Sequence, residues 1–151
     1  MTMLPCMWAT VRGDRPCLVA PGCVLYELRD DAVAATPFRA GGEGTIEDTY
    51  WRSVLPLFLQ HRGTQVLHAS AVVGPGGVVG ICGRAGAGKS TVACGLSRRG
   101  HRLWADDALV VSSVDPPRTA ALAGVMRLLP DAREFFAAPS DGVPLEAEVG
   151  D

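Results

Sequence analysis

The residues with the clearest chemical potential lie in a glycine-rich stretch near the middle of the chain. Residues 83–90 read Gly-Arg-Ala-Gly-Ala-Gly-Lys-Ser, which satisfies the pattern G-x-x-x-x-G-K-[ST]. Glycines let a backbone wrap closely around phosphate oxygens with its amide groups pointing inward, and the positive end of a following helix faces the same anion. The pattern therefore predicts a P-loop that binds a nucleoside triphosphate.

Each polar side chain of this loop has a distinct predicted role. Lys89 would reach the outer phosphates, the Ser90 hydroxyl would bind Mg²⁺, and Thr91 would contact the inner phosphates. Lys89 is the only lysine of the chain, and a compact ammonium differs from the guanidinium groups used everywhere else. The predicted nucleotide-binding residues are Gly83, Arg84, Ala85, Gly86, Ala87, Gly88, Lys89, Ser90 and Thr91.

Two adjacent carboxylates and one histidine could complete a reaction site. Asp106 and Asp107 follow an apolar stretch shortly after the loop, and adjacent residues on an extended chain point to opposite sides. One can face the phosphates while the other faces a metal, an arginine or a backbone amide. A carboxylate there can take the proton of an attacking hydroxyl or hold the metal, whereas a solvated pair or a helix cap would do neither. His68 lies in an apolar run before the loop, where a packed strand histidine is the simpler interpretation.

The elements that must position these residues are a β-hairpin before the loop and a helix after it. Residues 64–73 and 78–82 read as strands, separated by Gly-Pro-Gly-Gly. A parallel crossover needs about a dozen residues or more, so the two strands should be antiparallel neighbours. This differs from the common P-loop NTPases, whose loop strand lies in a parallel sheet. A helix over 89–99 follows, with Val92, Ala93 and Leu96 on its apolar side.

The region before the hairpin combines short strands with one helix. A helix is predicted to begin at Thr45, where Thr45 and Asp48 approximate a capping box, and to end near Gly63. Pro56 should kink or split it. The other predicted elements are strands at 16–20 and 23–28, a connection over 29–44, strands at 102–105, 108–113 and 125–129, and a last helix over 130–136.

Length and composition predict one domain with a short-strand region, a core and a tail. The chain has 151 residues, 48% of them hydrophobic, and a net charge of −2. We predict residues 1–44 packed on a P-loop core at 45–138, with an acidic tail over 139–151. The charge gives no basic surplus for nucleic acid or a membrane surface, and no apolar run approaches the roughly 20 residues of a membrane span. We therefore expect a cytoplasmic protein. Cys82 lies in an apolar run and Cys94 in the predicted helix, so we expect both to be small buried side chains.

Three segments of the chain resemble the C-terminal kinase domain of HPr kinase/phosphorylase. They are residues 67–73 (Leu-His-Ala-Ser-Ala-Val-Val), the loop at 83–90, and residues 99–111 (Arg-Gly-His-Arg-Leu-Trp-Ala-Asp-Asp-Ala-Leu-Val-Val). The resemblance implies an α/β fold related to PEP carboxykinase, in which a mixed sheet carries the P-loop after an antiparallel hairpin. It also implies ATP and Mg²⁺ as cofactors, and phosphoryl transfer to a serine of a peptide or small protein.

The same resemblance assigns roles to the acidic residues and the histidine. It makes Asp106 the catalytic base, His68 its assistant and Asp107 a supporting residue at the metal. Asp131 is the candidate for a later acidic residue that helps to hold the metal. The extended signature that follows the Asp pair in the bifunctional enzymes is lacking, so the phosphorylase reaction is not expected. The chain looks more like HPr-kinase-related proteins encoded beside peptide-modification genes, and members of the family often form oligomers.

Two other functions stay open at this point. The first is a non-catalytic ATP-binding module that regulates or scaffolds a partner, which the short stretch after Asp107 favours. The second is a different P-loop enzyme such as an ATPase. The predicted hairpin and the Asp pair so soon after Lys89 argue against the ATPase, and a parallel sheet around the loop strand would favour it.

Overall fold

The computed structural model describes residues 7–122, 125–138 and 143–144 of the chain. Within these ranges the protein is a mixed α/β structure with several antiparallel sheets and few helices. Contacts within the chain divide it into two compact units, residues 1–62 and 63–151. The predicted ranges 1–44, 45–138 and 139–151 stay predictions, and most of the last one falls outside the described residues.

The first unit begins with four strands that form an antiparallel meander. They are β1 (Trp8–Arg12), β2 (Arg15–Ala20), β3 (Val24–Leu28) and β4 (Val33–Pro37), paired in that order. The two strands predicted at 16–20 and 23–28 are confirmed as β2 and β3. The prediction of a plain connection over 29–44 is wrong, because β4 pairs with β3 along its whole length. Val33 and Thr36 favour a strand, but the alanines and Pro37 give it only a weak pattern, so the pairing with β3 decides.

The helical segment of the first unit is interrupted as its proline predicted. It comprises α1 (Glu43–Thr49), a π-helical stretch (Tyr50–Val54) and α2 (Leu55–His61). Pro56 lies in the first turn of α2. Because proline has no N–H, it cannot donate a hydrogen bond to the preceding turn, and the π-helical stretch replaces the α-helix there. The predicted start at Thr45 is wrong: α1 begins at Glu43 after Gly42, whose φ is 91°, and no side chain caps it.

Tyr26 is the largest side chain of the first unit's core. It is fully buried, and its hydroxyl donates a hydrogen bond to the Ile46 carbonyl at 2.7 Å. Burial raises the pKa of the Tyr26 phenol to about 12, because the phenolate would lose its water. The core therefore joins β3 to α1, and its buried members are Leu18, Ala20, Val24, Tyr26, Leu28 and Val54.

The second unit contains three small sheets and two helices within the described residues. The sheet orders are β7-β6-β8, β10-β9-β5 and β11-β12, and the neighbouring strands in these sheets are antiparallel. The elements are β5 (Gln65–Leu67), β6 (Ala69–Gly74), β7 (Gly77–Cys82), α3 (Lys89–Ser97), β8 (Arg102–Ala105), β9 (Leu109–Val111), β10 (Thr119–Ala121), β11 (Val125–Met126), α4 (Pro130–Phe135) and β12 (Val143–Pro144).

The hairpin before the loop is confirmed. β6 and β7 pair from Ala69 with Cys82 to Gly74 with Gly77, around the predicted turn. The prediction of one strand over 64–73 is wrong, because the chain leaves the first sheet at His68. β5 pairs with β9, whereas β6 pairs with β7 and β8. The apolar run has no glycine or proline at this break, so only the long-range pairings divide it.

Side chains on the two faces of β6 enter two different cores. Ala69 and Ala71 pack in one cluster with Trp104 and Leu109. Val72, on the opposite face, packs with residues of α3 and with Met126. The α3 helix therefore covers the face of the sheet that also carries Ser70.

Of the two cysteines predicted to be buried, one is buried and the other is exposed. Cys94 is buried in α3, as expected. Cys82 is exposed, because β7 is the edge of its sheet and Cys82 is its last residue. Val92 is 51% exposed, although Ala93 beside it is buried. No described helix is both long enough and apolar enough to cross a membrane.

Candidate functional site

The glycine-rich loop links β7 directly to α3. Gly88 immediately precedes α3 with a φ of 86°, and Gly86 has a φ of 79°. Both values lie in the left-handed region that glycine adopts without a Cβ penalty. A Cβ on Gly83 would lie 3.3 Å from the Ala87 Cβ, so the loop closes tightly on itself. The loop needs its glycines for conformation at two positions and for space at a third.

Lys89 points back into the loop that precedes it. Its side chain is largely buried, with 8% relative exposure. The ammonium Nζ lies 3.1 Å from the Gly83 carbonyl, 3.3 Å from the Arg84 carbonyl and 3.1 Å from Nε2 of His68. An ammonium has three hydrogens, so these three acceptors match its capacity. An anion entering the loop would have to replace at least one of them to contact Lys89 directly.

The contacts of His68 define which ring nitrogen carries the hydrogen. Nδ1 lies 3.0 Å from the Asp107 carbonyl oxygen, which can only accept, so Nδ1 is the donor. Nε2 faces the Lys89 ammonium, which can only donate, so Nε2 is the acceptor. The neutral Nδ1–H form satisfies both contacts. His68 lies at the break between β5 and β6, where it joins the loop lysine to the Asp pair.

Asp106 lies behind the start of α3 and accepts two hydroxyl hydrogen bonds on one oxygen. Ser90 donates to Oδ1 at 2.8 Å, and Ser70 donates to the same atom at 2.6 Å. The two serine oxygens are 3.4 Å apart. With its hydrogen directed to Asp106, the Ser90 oxygen keeps its lone pairs for another partner. This arrangement suits a hydroxyl that binds a cation.

Ser70 is the residue of this site that the sequence prediction missed. It is 0% exposed, is the second residue of β6, and its hydroxyl lies within hydrogen-bond distance of Ser90 and Asp106. Its signal was visible: it is the one hydroxyl residue in the apolar run 69–73. A buried hydroxyl in such a strand requires a partner, which Asp106 supplies.

Asp107 occupies a left-handed conformation between β8 and β9. Its φ is 66°, which is uncommon for a residue other than glycine, asparagine or aspartate. This conformation turns the chain at the site and presents the Asp107 carbonyl to His68.

An open cleft of about 370 Å³ lies over these residues. On one side it is lined by the loop and the start of α3, and on the other by residues 127–129. His68 and Asp107 line it, whereas Asp106 lies behind Ser90 and is not among its lining residues. Asp131 is exposed in the first turn of α4 and does not line this cleft either.

The structure thus brings together most residues that the sequence singled out. The loop, Lys89, Ser90, His68 and the Asp pair form one continuous cluster, although β6 separates β7 from β8 in the sheet. Asp106 reaches Ser90 because α3 packs on the face of β6 that carries Ser70. Among the described residues, no hydrogen bond or ion pair links Asp131 to the cluster, and its metal role stays a prediction.

Comparison with known proteins adds no relative to this picture. The chain matches no family model, no curated protein and no solved structure at a significant level. The functional argument therefore depends on the motifs and on the contacts described above.

Proposed function

We propose that this chain is a kinase that uses ATP and Mg²⁺ to phosphorylate a serine hydroxyl of a peptide or small protein in the cytoplasm. Its fold would be that of the HPr kinase/PEP carboxykinase group. The observation that carries the proposal is the hydrogen bond from Ser90 to Asp106, directly behind a glycine-rich loop whose lysine is buried in the same cluster. These are the groups that phosphoryl transfer requires: a phosphate cradle, a cation and a placed carboxylate.

The loop residues fit a triphosphate. Left-handed glycines at 86 and 88 leave no side chains between the backbone and an anion, and α3 begins immediately afterwards. Lys89 supplies a point charge that can move from its present acceptors to a phosphate oxygen. The same movement would free Nε2 of His68 to accept a hydrogen bond from the acceptor hydroxyl.

The residues behind the loop fit Mg²⁺. The described residues hold no group of three or more His, Cys, Asp or Glu side chains arranged as a metal centre. Mg²⁺ does not need one, since it commonly uses one or two protein groups together with phosphate oxygens and water. Ser90 would bind the cation, with Asp106 fixing the direction of its hydroxyl. When bound, Mg²⁺ neutralises charge that develops on the phosphates.

The acceptor side of the reaction needs a proton acceptor and a fixed hydroxyl. The proposal assigns the proton to Asp106, with His68 placing the hydroxyl and Asp107 lining the cleft. The hydrogen bond from Ser90 supports the proposal that Asp106 orients the Ser90 hydroxyl. The role of Asp106 as base follows from the family resemblance.

The experiment that tests this proposal is transfer of labelled phosphate from ATP to a serine-containing peptide. Asp106→Asn keeps the size of the side chain and removes its charge, and Asp14→Asn, at an exposed position in the first unit, is the matched control. We expect Asp106→Asn to lower the rate of transfer about 100-fold or more, since general acid–base catalysis contributes at least that much. Equal phosphorylation by Asp106→Asn and the unaltered protein would contradict the assigned role.

A non-catalytic nucleotide-binding module is the second candidate, and one observation favours it. Asp106 does not line the cleft, and its Oδ1 is already engaged by two hydroxyl groups. Such a carboxylate can hold Ser90 without ever meeting an acceptor. Tight ATP binding with neither transfer nor hydrolysis would identify this function. The ATPase alternative loses support because β7, the strand that leads into the loop, pairs with β6 in the antiparallel sense, and β6 pairs with β8 in the same sense.

A further inference from the structure

A second open cavity, of about 410 Å³, lies between α3 and α4. We name it the α3–α4 groove. Its apolar wall includes Val92 and Phe135, which are 51% and 82% exposed. Arg98 and Arg99 lie at its far end and are the only charged side chains among the described residues that line it. Exposed apolar side chains gathered next to like charges are typical of a binding surface.

The groove is built on two elements that are joined to each other. The Arg98 guanidinium donates to the Phe136 carbonyl at 2.8 Å. The Phe136 ring packs against the core below and stands edge-on to Phe135, with ring centroids 4.9 Å apart. A Cβ on Gly95 would lie 3.5 Å from the Phe136 ring, so the absence of a side chain there lets the two helices approach. Phe135 is therefore held outward by an anchored neighbour.

The α3–α4 groove and the cleft over the loop are lined by adjacent segments of the chain. Thr91 lines the cleft, and Val92, the next residue, lines the groove. On the opposite side Leu129 lines the cleft and is 70% exposed, and α4 leads from it to Phe135. The helix α3 thus contributes to both cavities, and residues 127–129, which line the cleft, lead directly into α4, which lines the groove.

We propose that the α3–α4 groove binds the acceptor polypeptide beyond its reactive serine, and that it selects an apolar side chain followed by acidic ones. This inference rests on the proposed kinase function. The apolar wall would receive the first side chain, and the guanidinium groups of Arg98 and Arg99 match carboxylates in charge and in shape. A basic or purely polar segment would leave both features unmatched.

The length of α3 sets the spacing of this motif. From Ser90 to Arg98 the helix rises about 12 Å, at about 1.5 Å per residue. An extended polypeptide covers about 3.3 Å per residue, so the acidic side chains should lie about four residues from the serine. The apolar side chain should lie about two residues from it. The structure does not fix the direction of the bound segment, so both directions belong in the test.

The test uses the full chain without nucleotide and fluorescein-labelled dodecapeptides of glycine and alanine. Each peptide carries one serine, a leucine two residues from it and two aspartates four and five residues from it, on either the C-terminal or the N-terminal side. Matched peptides carry lysines in place of the aspartates. By fluorescence anisotropy at low salt, we expect one acidic peptide to bind about five- to tenfold more tightly than its lysine counterpart, a preference that shrinks as salt is added.

Variants connect this preference to the groove. Charge reversal with R98E and R99E together should reverse the preference, and Phe135→Asp should weaken binding of the acidic peptide. R12E, an exposed reversal in the first unit, should change nothing. Thermal unfolding and the affinity for MgATP, both measured on every variant, show that fold and loop are intact. A preference below about twofold, or one that R98E and R99E leave unchanged, would overturn the proposal.

Two further outcomes separate this inference from the kinase function. Peptide preference without phosphate transfer to any serine would support the groove and contradict the kinase. Transfer to all peptides at equal rates, without any binding preference, would support the kinase and overturn the groove. A dimer in light scattering that Phe135→Asp converts to a monomer would assign the groove to a second copy of the chain, and would also overturn the inference.

Discussion

Ser70→Ala is the most informative single change, because it removes one atom whose contacts are known. The Ser70 hydroxyl is 0% exposed and donates to Asp106 Oδ1 at 2.6 Å. A hydrogen bond to a charged group contributes about 1.5–3 kcal/mol, so the free energy of unfolding should fall by about that amount. The Ser90 hydroxyl still donates to this oxygen in the variant.

The consequence for function should appear in the metal dependence of nucleotide binding. If Ser70 fixes Asp106 and Asp106 fixes Ser90, losing Ser70 loosens the hydroxyl proposed to bind Mg²⁺. Residues that orient a metal ligand typically contribute 10- to 100-fold to metal affinity, and we expect an effect of about tenfold here. The assay is titration with a fluorescent ATP analogue, once with Mg²⁺ and once with EDTA. The dissociation constant measured with EDTA, divided by the one measured with Mg²⁺, should fall about tenfold in Ser70→Ala.

A control variant separates this effect from simple destabilisation. Val72→Ala alters the same face of the same strand and removes two buried carbons, which should cost about 2 kcal/mol. Its side chain packs in the apolar cluster beside α3 and forms no hydrogen bond, so the Mg²⁺ dependence of ATP binding should equal that of the unaltered protein. If Ser70→Ala and Val72→Ala destabilise equally and both keep the ratio, Ser70 is a packing residue and the reasoning is refuted.

Three further predictions concern the loop, the core beside α3 and the core of the first unit. Gly88→Ala should destabilise the protein by about 1 kcal/mol through its left-handed conformation and weaken ATP binding, whereas Gly44→Ala inside α1 should stabilise it, as chemical denaturation would show. Met126→Ala, at a fully buried position, should lower the free energy of unfolding by about 2–5 kcal/mol, and a loss below 1 kcal/mol would contradict the described core. Tyr26 ionises near pH 10 in the unfolded chain and near 12 in the folded one, so its contribution is complete below pH 10 and lost as the pH rises from 10 to 12. Urea midpoints across that range should fall more steeply for the unaltered protein than for Tyr26→Phe, and parallel curves would speak against the burial of the phenol.

The sequence was sufficient wherever the deciding signal is local. The hairpin turn at 74–77, the loop at 83–90 and the start of α3 each follow from a few adjacent glycines and one Lys-Ser pair. Pro56 likewise predicted the interruption of the first helical segment, since a missing N–H acts on its own turn. These features could be placed without knowing which strand pairs with which.

Features that depend on long-range pairing were wrong or missed. Nothing in residues 64–73 marks His68 as a break, because the break exists only through the pairing of β5 with β9. Cys82 was predicted to be buried because its neighbours are apolar, yet its strand lies at an edge. The serine at position 70 was missed for the same reason: its partner Asp106 lies 36 residues away in sequence.

The central claim is that residues 83–90 bind a nucleoside triphosphate, and calorimetric titration with MgATP tests it most directly. The account predicts saturable binding of one ATP per chain and much weaker binding of AMP, which lacks the outer phosphates. Lys89→Met should weaken ATP binding about 10- to 150-fold, the equivalent of one charge-assisted hydrogen bond of about 1.5–3 kcal/mol. Absence of ATP binding by the folded chain, or equal affinity in Lys89→Met, would contradict the claim.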